Sequence, residues 1–328
     1  MKILISEPLP EVVRQDVTAR LSQLGEVWAS PDTSEETLAA QVREADIFVV
    51  RLAKITAKVI ENARKLRVIV RPAVGVDNVD VAAATTAGIP IVYSPGSNSD
   101  STAEHTFALI LALAKGIPVG NSAAKEGRWA ARGELTSQNR ELAGATLGVI
   151  GLGPVGRRVA KLGAAFGMRV LAHSQAAQRD EAEETGAQLT DLETLFAQSD
   201  YVTIHAALTD RTRGLIGAEA LAKMKPSAFL VNTARGPIID ETAVLEALNG
   251  GRLAGAALDV FSVEPPDPQH PLLLHPRVLV SPHVAGMSRD STQRMYDFAL
   301  EDMDRFLRGE PPIRILNPEA LTTSRVKR

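Results

Sequence analysis

Cysteine is absent from all 328 residues, so disulfides, thiolate nucleophiles and cysteine metal sites are excluded together. A reducing cytoplasm fits that usage and is the expected location. Charge of one sign is also lacking. The 36 Lys and Arg stand against 39 Asp and Glu, a net charge of −3, which gives no global field to draw nucleic acid or an anionic membrane. Long hydrophobic runs are missing as well. The start, MKILISEPLPE, has a short apolar run broken by Ser6 and Glu7, too short for a secretory signal. The longest apolar helical stretch, Phe107 to Ala114, stops at Lys115, well short of the roughly 18 residues that cross a bilayer. Neither an export signal nor a membrane segment is expected.

What is present describes an ordinary globular chain, with 45% hydrophobic and 23% charged residues. Its length exceeds one typical core, and two domains of about 100 to 200 residues each are expected. Short apolar runs alternate with stretches of helical period. KILIS, EVWAS, DIFVV, Arg67 to Val70 and Ile89 to Tyr93 read as strands, while Pro10 to Leu24 and Ser34 to Arg43 read as helices. Such alternation predicts parallel β/α units. The turn-rich SPGSNSDST interrupts it and reads as an interdomain joint. One long, mostly buried helix is predicted over about Thr102 to Gly127, and a second α/β series follows.

That second series opens with a run ending in Val149 and Ile150 that leads straight into GLGPVG, Gly151 to Gly156, and then a helix. A lone GxGxxG is compatible with a tight turn that binds nothing, but here it lies between strand and helix. Gly151 permits the turn, Gly153 lets backbone approach a pyrophosphate, and Gly156 allows close helix packing. The helix start, with Pro154 and Val155, offers free N–H groups and a positive dipole end. A dinucleotide is the expected ligand. The next strand, Arg169 to His173, ends at Ser174, where NAD enzymes commonly carry an acidic residue for the ribose. Serine does not repel a 2′-phosphate by charge, so NAD is expected and NADP is also admitted. Arg179 is the nearest cation, and as a loop arginine it reads as solvated.

Three further strands end in polar residues: AFLVN runs into Thr233-Ala234-Arg235-Gly236, GAALDVF into Glu264, and RVLVS into His283. Ligands of open parallel sheets bind beyond the carboxyl ends of strands, so these residues are expected to converge with the dinucleotide. Surface salt bridges are the bland alternative for each of them taken singly.

The motifs PAVGVDNVD (Pro72 to Asp80), GLGPVG, NTARG (Asn232 to Gly236), LDVFSVEP (Leu258 to Pro265) and SPHVAG (Ser281 to Gly286) occur in this order. In them the chain resembles the D-isomer-specific 2-hydroxyacid dehydrogenase family, which includes phosphoglycerate dehydrogenases, glyoxylate and hydroxypyruvate reductases and D-lactate dehydrogenases. The resemblance covers nearly the whole chain. It implies a catalytic triad of Arg235, Glu264 and His283, and a specificity for D-2-hydroxy acids. It also implies two Rossmann-like or flavodoxin-like parallel-sheet domains, with the nucleotide-binding domain (99–286) inserted in the substrate domain (1–98 and 287–328). A hinge near both crossings, closure on substrate, an open form without ligand and a homodimer are implied too.

The chemistry of those residues is consistent with that reading. Oxidation of a secondary alcohol needs a base near neutral pKa, histidine has a reference value of about 6.5, and a carboxylate such as Glu264 orients a ring and stabilises its protonated form. Arg235 can grip a carboxylate through two donors. The resemblance adds Val74 and Gly75 as backbone donors to the substrate carboxylate. It adds Thr233, Ala234, Asp259, His205 and Gly286 to the cofactor site, although Ala207 replaces the proline usual after His205. Glu104 and His105 read as helix-capping residues, and His173, His270 and His275 as surface or packing residues. Arg51 and Arg71 resemble arginines of phosphoglycerate dehydrogenases and suit an anionic tail. RLAKIT is shorter than the usual segment, and HVAG replaces HLGA. The substrate is therefore expected to be of the 3-phosphoglycerate or the hydroxypyruvate/glyoxylate type. A dinucleotide-sensing corepressor-like binding protein without turnover is the alternative.

Overall fold

The computed structural model describes residues 1–175 and 179–323. The chain divides into two compact units, Met1–Asn98 with the segment from Ser288 onward, and Ser99–Met287.

The first unit is built on five parallel strands, β1 (Lys2–Ile5), β2 (Glu26–Ala29), β3 (Ile47–Val49), β4 (Val68–Arg71) and β5 (Ile91–Tyr93), in the order β2-β1-β3-β4-β5. This is the flavodoxin-like order. The central strands are buried on both faces, as IFV and VIVR require. One face packs on the Glu35–Gln41, Ala57–Asn62 and Val81–Thr86 helices through Leu38, Val59, Ile60 and Ala84. The other is covered by Val13, Val17 and Leu21 of the Glu11–Ser22 helix and by Tyr296, Ala299, Leu300 and Met303 of the Arg289–Leu307 helix. Each fully buried aliphatic side chain contributes about 1.5–3 kcal/mol. Ser288 caps the latter helix in a reciprocal capping box with Ser291. Beyond that helix the chain returns to the sheet edge. Asn317, fully buried, accepts from the Ile91 N–H at 2.8 Å and donates to the Ile89 carbonyl at 3.0 Å.

The second unit holds seven parallel strands: β6 (Thr146–Ile150), β7 (Arg169–His173), β8 (Ala187–Leu189), β9 (Tyr201–Ile204), β10 (Phe229–Asn232), β11 (Gly255–Leu258) and β12 (Val278–Val280). Their order, β12-β11-β10-β9-β6-β7-β8, reverses direction between β6 and β9. It is the Rossmann order with one strand added, and the crevice at the reversal is where such sheets bind ligands.

One predicted element differs. The helix expected over Thr102 to Gly127 is two helices, Ser99–Ala114 and Ile117–Lys125, bent by 60°. Gly116 adopts φ 55°, a left-handed conformation that stops the first helix, and Pro118 opens the second. Only the first is a core element; the second exposes Ile117 and Val119. No single helix among the described residues is long and apolar enough to cross a membrane.

Candidate active site

At the end of β6 the three glycines have separate geometric duties. A Cβ on Gly151, whose φ is 93°, would stand 2.6 Å from the Ala206 nitrogen, so the loops after β6 and β9 touch at the reversal. A Cβ on Gly156 would meet the Gly151 carbonyl oxygen at 1.9 Å, which sets how closely the Pro154–Ala165 helix packs on the strand. A Cβ on Gly153 meets nothing within 4 Å. Gly153 and Pro154 are exposed, Val155 is half-buried, and no side chain caps the helix start. An open backbone face beside uncapped N–H groups is the cradle a pyrophosphate fits.

Beyond β9, His205 pairs its Nε2 with the Thr203 hydroxyl at 2.9 Å. Although the residue keeps some surface exposure, burial of the ring pushes its pKa from 6.5 down to about 3. His205 is thus a neutral hydrogen-bonding group. At the end of β7, Ser174 is half-buried. The side chain of Arg179 lies outside the described residues.

The turn after β10 is shaped by Asn232, fully buried, which donates to the Arg235 carbonyl at 2.9 Å and accepts from the Ala234 N–H at 3.0 Å. Gly236 lies so close to the next loop that a Cβ there would stand 2.0 Å from the Phe261 carbonyl carbon. Only glycine therefore follows Arg235. The guanidinium donates to the Ala234 carbonyl at 2.8 Å.

After β11, Glu264 Oε1 accepts from the Phe261 N–H at 3.0 Å, and its Oε2 lies 2.6 Å from His283 Nδ1. A carboxylate only accepts, so Nδ1 carries the proton of this pair and the neutral ring leaves Nε2 as its acceptor. Both side chains are exposed. His283 has φ 52°, a left-handed conformation uncommon outside glycine. It persists because the surrounding loop is over-determined.

Much of that determination comes from Asp259, 1% exposed. Its carboxylate accepts from the Ser281 hydroxyl at 2.5 Å and from the N–H groups of Val284 and Ala285, each at 2.9 Å. Its carbonyl accepts from the His283 N–H at 2.8 Å. Both carboxylate oxygens thus hold the loop that ends at Gly286. His105 lies inside the Ser99–Ala114 helix and does not cap it; its Nε2 is 3.0 Å from the Ser281 hydroxyl. Glu104 is likewise interior and exposed. His270 caps the Pro271–Leu274 helix and lies 3.2 Å from Glu241, which in turn accepts from the Ser262 N–H at 2.6 Å beside Glu264. Asn232 and Ser281 open the motifs NTARG and SPHVAG but have no role of their own legible in the sequence, and Glu241, at the start of the Glu241–Asn249 helix, carries no motif signal.

In the first unit, Arg71 departs from the sequence expectation. It is 7% exposed and donates to the carbonyls of Gly75 at 3.1 Å and of Arg51, so it braces these loops rather than offering a site for an anionic tail. Among the described residues the Arg51 guanidinium has no hydrogen-bond partner, and the residue is half-buried, as are Val74 and Gly75.

A reversed parallel sheet with this glycine turn at its crossover defines an α/β protein of the Rossmann class. Residues 107–285 match the family described as D-isomer specific 2-hydroxyacid dehydrogenase, NAD binding domain, and the chain belongs to that family. It is 40% identical over 291 residues to a glyoxylate reductase of Aeropyrum pernix, covering 87% of each chain. It is also 40% identical over 326 residues to a D-3-phosphoglycerate dehydrogenase of Archaeoglobus fulgidus, covering 99% of this chain and 60% of that one. The chain thus spans about 60% of the length of the phosphoglycerate dehydrogenases it matches. Among solved structures, an NAD-dependent formate dehydrogenase of Staphylococcus aureus in complex with NAD has a TM-score of 0.84 at 30% identity, covering 95% of this chain and 97% of that one.

Proposed function

We propose that this protein interconverts a small D-2-hydroxy acid and its 2-oxo acid with a nicotinamide dinucleotide. The observation that carries the reading is the 2.6 Å pair of His283 Nδ1 with Glu264 Oε2, which leaves Nε2 as the proton acceptor beyond two neighbouring strand ends.

The residues around Gly151, Gly153 and Gly156 fit a dinucleotide, and a bound nicotinamide supplies acceptance or delivery of the hydride at C2. The chain's own part is positioning and proton transfer. In oxidation His283 Nε2 takes the hydroxyl proton as the hydride leaves; in reduction it returns that proton to the carbonyl oxygen. Glu264 holds the ring through Nδ1 and offsets the imidazolium charge. Arg235 binds the substrate carboxylate and polarises the carbonyl.

Val74 and Gly75 are assigned to the substrate carboxylate, and Arg51 to the far end of the substrate. An arginine whose guanidinium has no hydrogen-bond partner among the described residues suits an anionic or strongly polar tail, which supports the 3-phosphoglycerate or hydroxypyruvate type; relatives named glyoxylate reductase support glyoxylate. NAD is the proposed cofactor, with NADP accepted because Ser174 carries no negative charge. A homodimer is also proposed, supported by the exposed Ile117, Val119 and Trp129.

The test is cofactor oxidation followed by absorbance, with NADH and NADPH each presented with glyoxylate, hydroxypyruvate, phosphohydroxypyruvate, pyruvate and sulfopyruvate. Turnover of one or two acids is expected and names the substrate class. Tight dinucleotide binding without turnover of any 2-oxo acid overturns the proposal in favour of a sensing role.

A further inference from the structure

The Ser99–Ala114 helix changes chemistry along its length: SDSTAEHT is polar, and FALILALA is apolar. The apolar turns are explained by the core, where Phe107, Leu109, Ile110 and Ala114 are buried. The polar turns are explained by the strand-end loops. Ser101 donates to the Ala285 carbonyl at 3.0 Å, His105 Nε2 lies 3.0 Å from the Ser281 hydroxyl, and the Thr106 and Thr233 hydroxyls are 3.0 Å apart. Ser101 and His105 stand one helical turn apart, on one face.

Ser281 has one hydroxyl hydrogen, and at 2.5 Å from Asp259 Oδ1, which only accepts, that hydrogen goes to the carboxylate. Ser281 must then accept from His105, so His105 carries a proton on Nε2. The chain of donors runs from His105 to Ser281 to Asp259. Asp259 passes the constraint on through its bonds to the N–H groups of His283, Val284 and Ala285. These bonds bracket the left-handed residue, in a loop without regular secondary structure.

We infer that His105 and Ser281 are positioning residues for His283. They fix the orientation of the Asp259 carboxylate and thereby the place of the imidazole. The inference rests on the acid–base role proposed for His283. A misplacement of about 1 Å costs on the order of 10²-fold in rate even when its cause lies away from the chemistry. The expected signature is therefore lost turnover without lost binding.

The experiment compares His105→Phe, His105→Gln, Ser281→Ala, Ser281→Thr and His283→Gln in the full chain, with NADH and hydroxypyruvate or glyoxylate. His105→Phe and Ser281→Ala should lower kcat by about 10- to 100-fold. The KM for the acid and the Kd for the dinucleotide should stay near those of the parent. The isotope effect on kcat with 4-deuterated NADH should rise, and amide hydrogen exchange at Val284 and Ala285 should accelerate. Ser281→Thr, which keeps the hydroxyl, and His105→Gln, which keeps an N–H donor, should recover most of the turnover. Parental kcat and exchange in both His105→Phe and Ser281→Ala overturn the inference, as does a loss seen in binding alone. If His105→Phe fails to fold, Ser281→Ala, which removes one oxygen, decides. A His283→Gln variant with parental turnover overturns the acid–base reading as well; an inactive one beside parental Ser281→Ala overturns only the positioning.

Discussion

His283 meets Glu264 through one ring nitrogen and Asp259 through its backbone, so its ring can be replaced without disturbing the glycine turn. His283→Gln is expected to lower turnover by about 10² to 10⁴-fold, the usual loss for a general acid–base group. Dinucleotide affinity should stay unchanged, as initial rates and a fluorescence titration can check. His205 makes the opposite kind of prediction. Its pKa falls from 6.5 in an unfolded chain to about 3 in the folded one. Between those values the unfolded state binds the extra proton, so stability is lost as pH falls from about 6.5 towards 3. Urea unfolding at pH 7 and pH 5 should show a smaller pH dependence in His205→Gln than in the parent. An equal dependence in both would remove His205 from the acid sensitivity.

At the scale of elements, the chain's last segment is held by one buried carboxylate. Asp302, fully buried, accepts from the Ile313 N–H at 2.6 Å, the Arg314 N–H at 3.1 Å and the Arg314 guanidinium at 2.9 Å. The Arg314 guanidinium keeps Glu301 at 3.0 Å without Asp302, but the Ile313 and Arg314 N–H groups lose a charged acceptor, a loss of about 1.5–3 kcal/mol. Asp302→Ala should therefore lower the unfolding free energy by that order in a denaturant titration. Gly156→Val forces its side chain into the Gly151 carbonyl, and loss of dinucleotide binding is expected even where the variant folds.

The sequence made some of these elements far more legible than others, for identifiable reasons. Strands such as VIVR and TLGVI are apolar on both faces because parallel strands are covered twice, and they stand out as uninterrupted runs. β8, only AQL, gives no such run. The break at Gly116 was hidden because apolar residues continue through Ile117 and Val119 on its far side. The residues at the strand ends were legible because polar side chains stop apolar runs abruptly at Arg235, Glu264 and His283. His105 was misread as a cap because a histidine among serines and threonines at a helix start looks alike whether it serves the helix or a loop more than 170 residues later.

For the whole molecule, the proposed dimer is a question of mass. The chain weighs 35.0 kDa, and light scattering should return about twice that. A value near 35 kDa sets the dimer aside.

The first unit takes its N-terminal sheet from one end of the chain and its covering Arg289–Leu307 helix from the other, while Ser99–Met287 is continuous. During synthesis at about 5–20 residues per second, roughly ten to forty seconds pass between the emergence of Asn98 and of Ser288. Through that interval the face of the sheet that carries Val68 and Val70 has the Glu11–Ser22 helix but lacks the Arg289–Leu307 helix that completes its cover. The unit whose sequence begins first on the ribosome is the one whose core closes last.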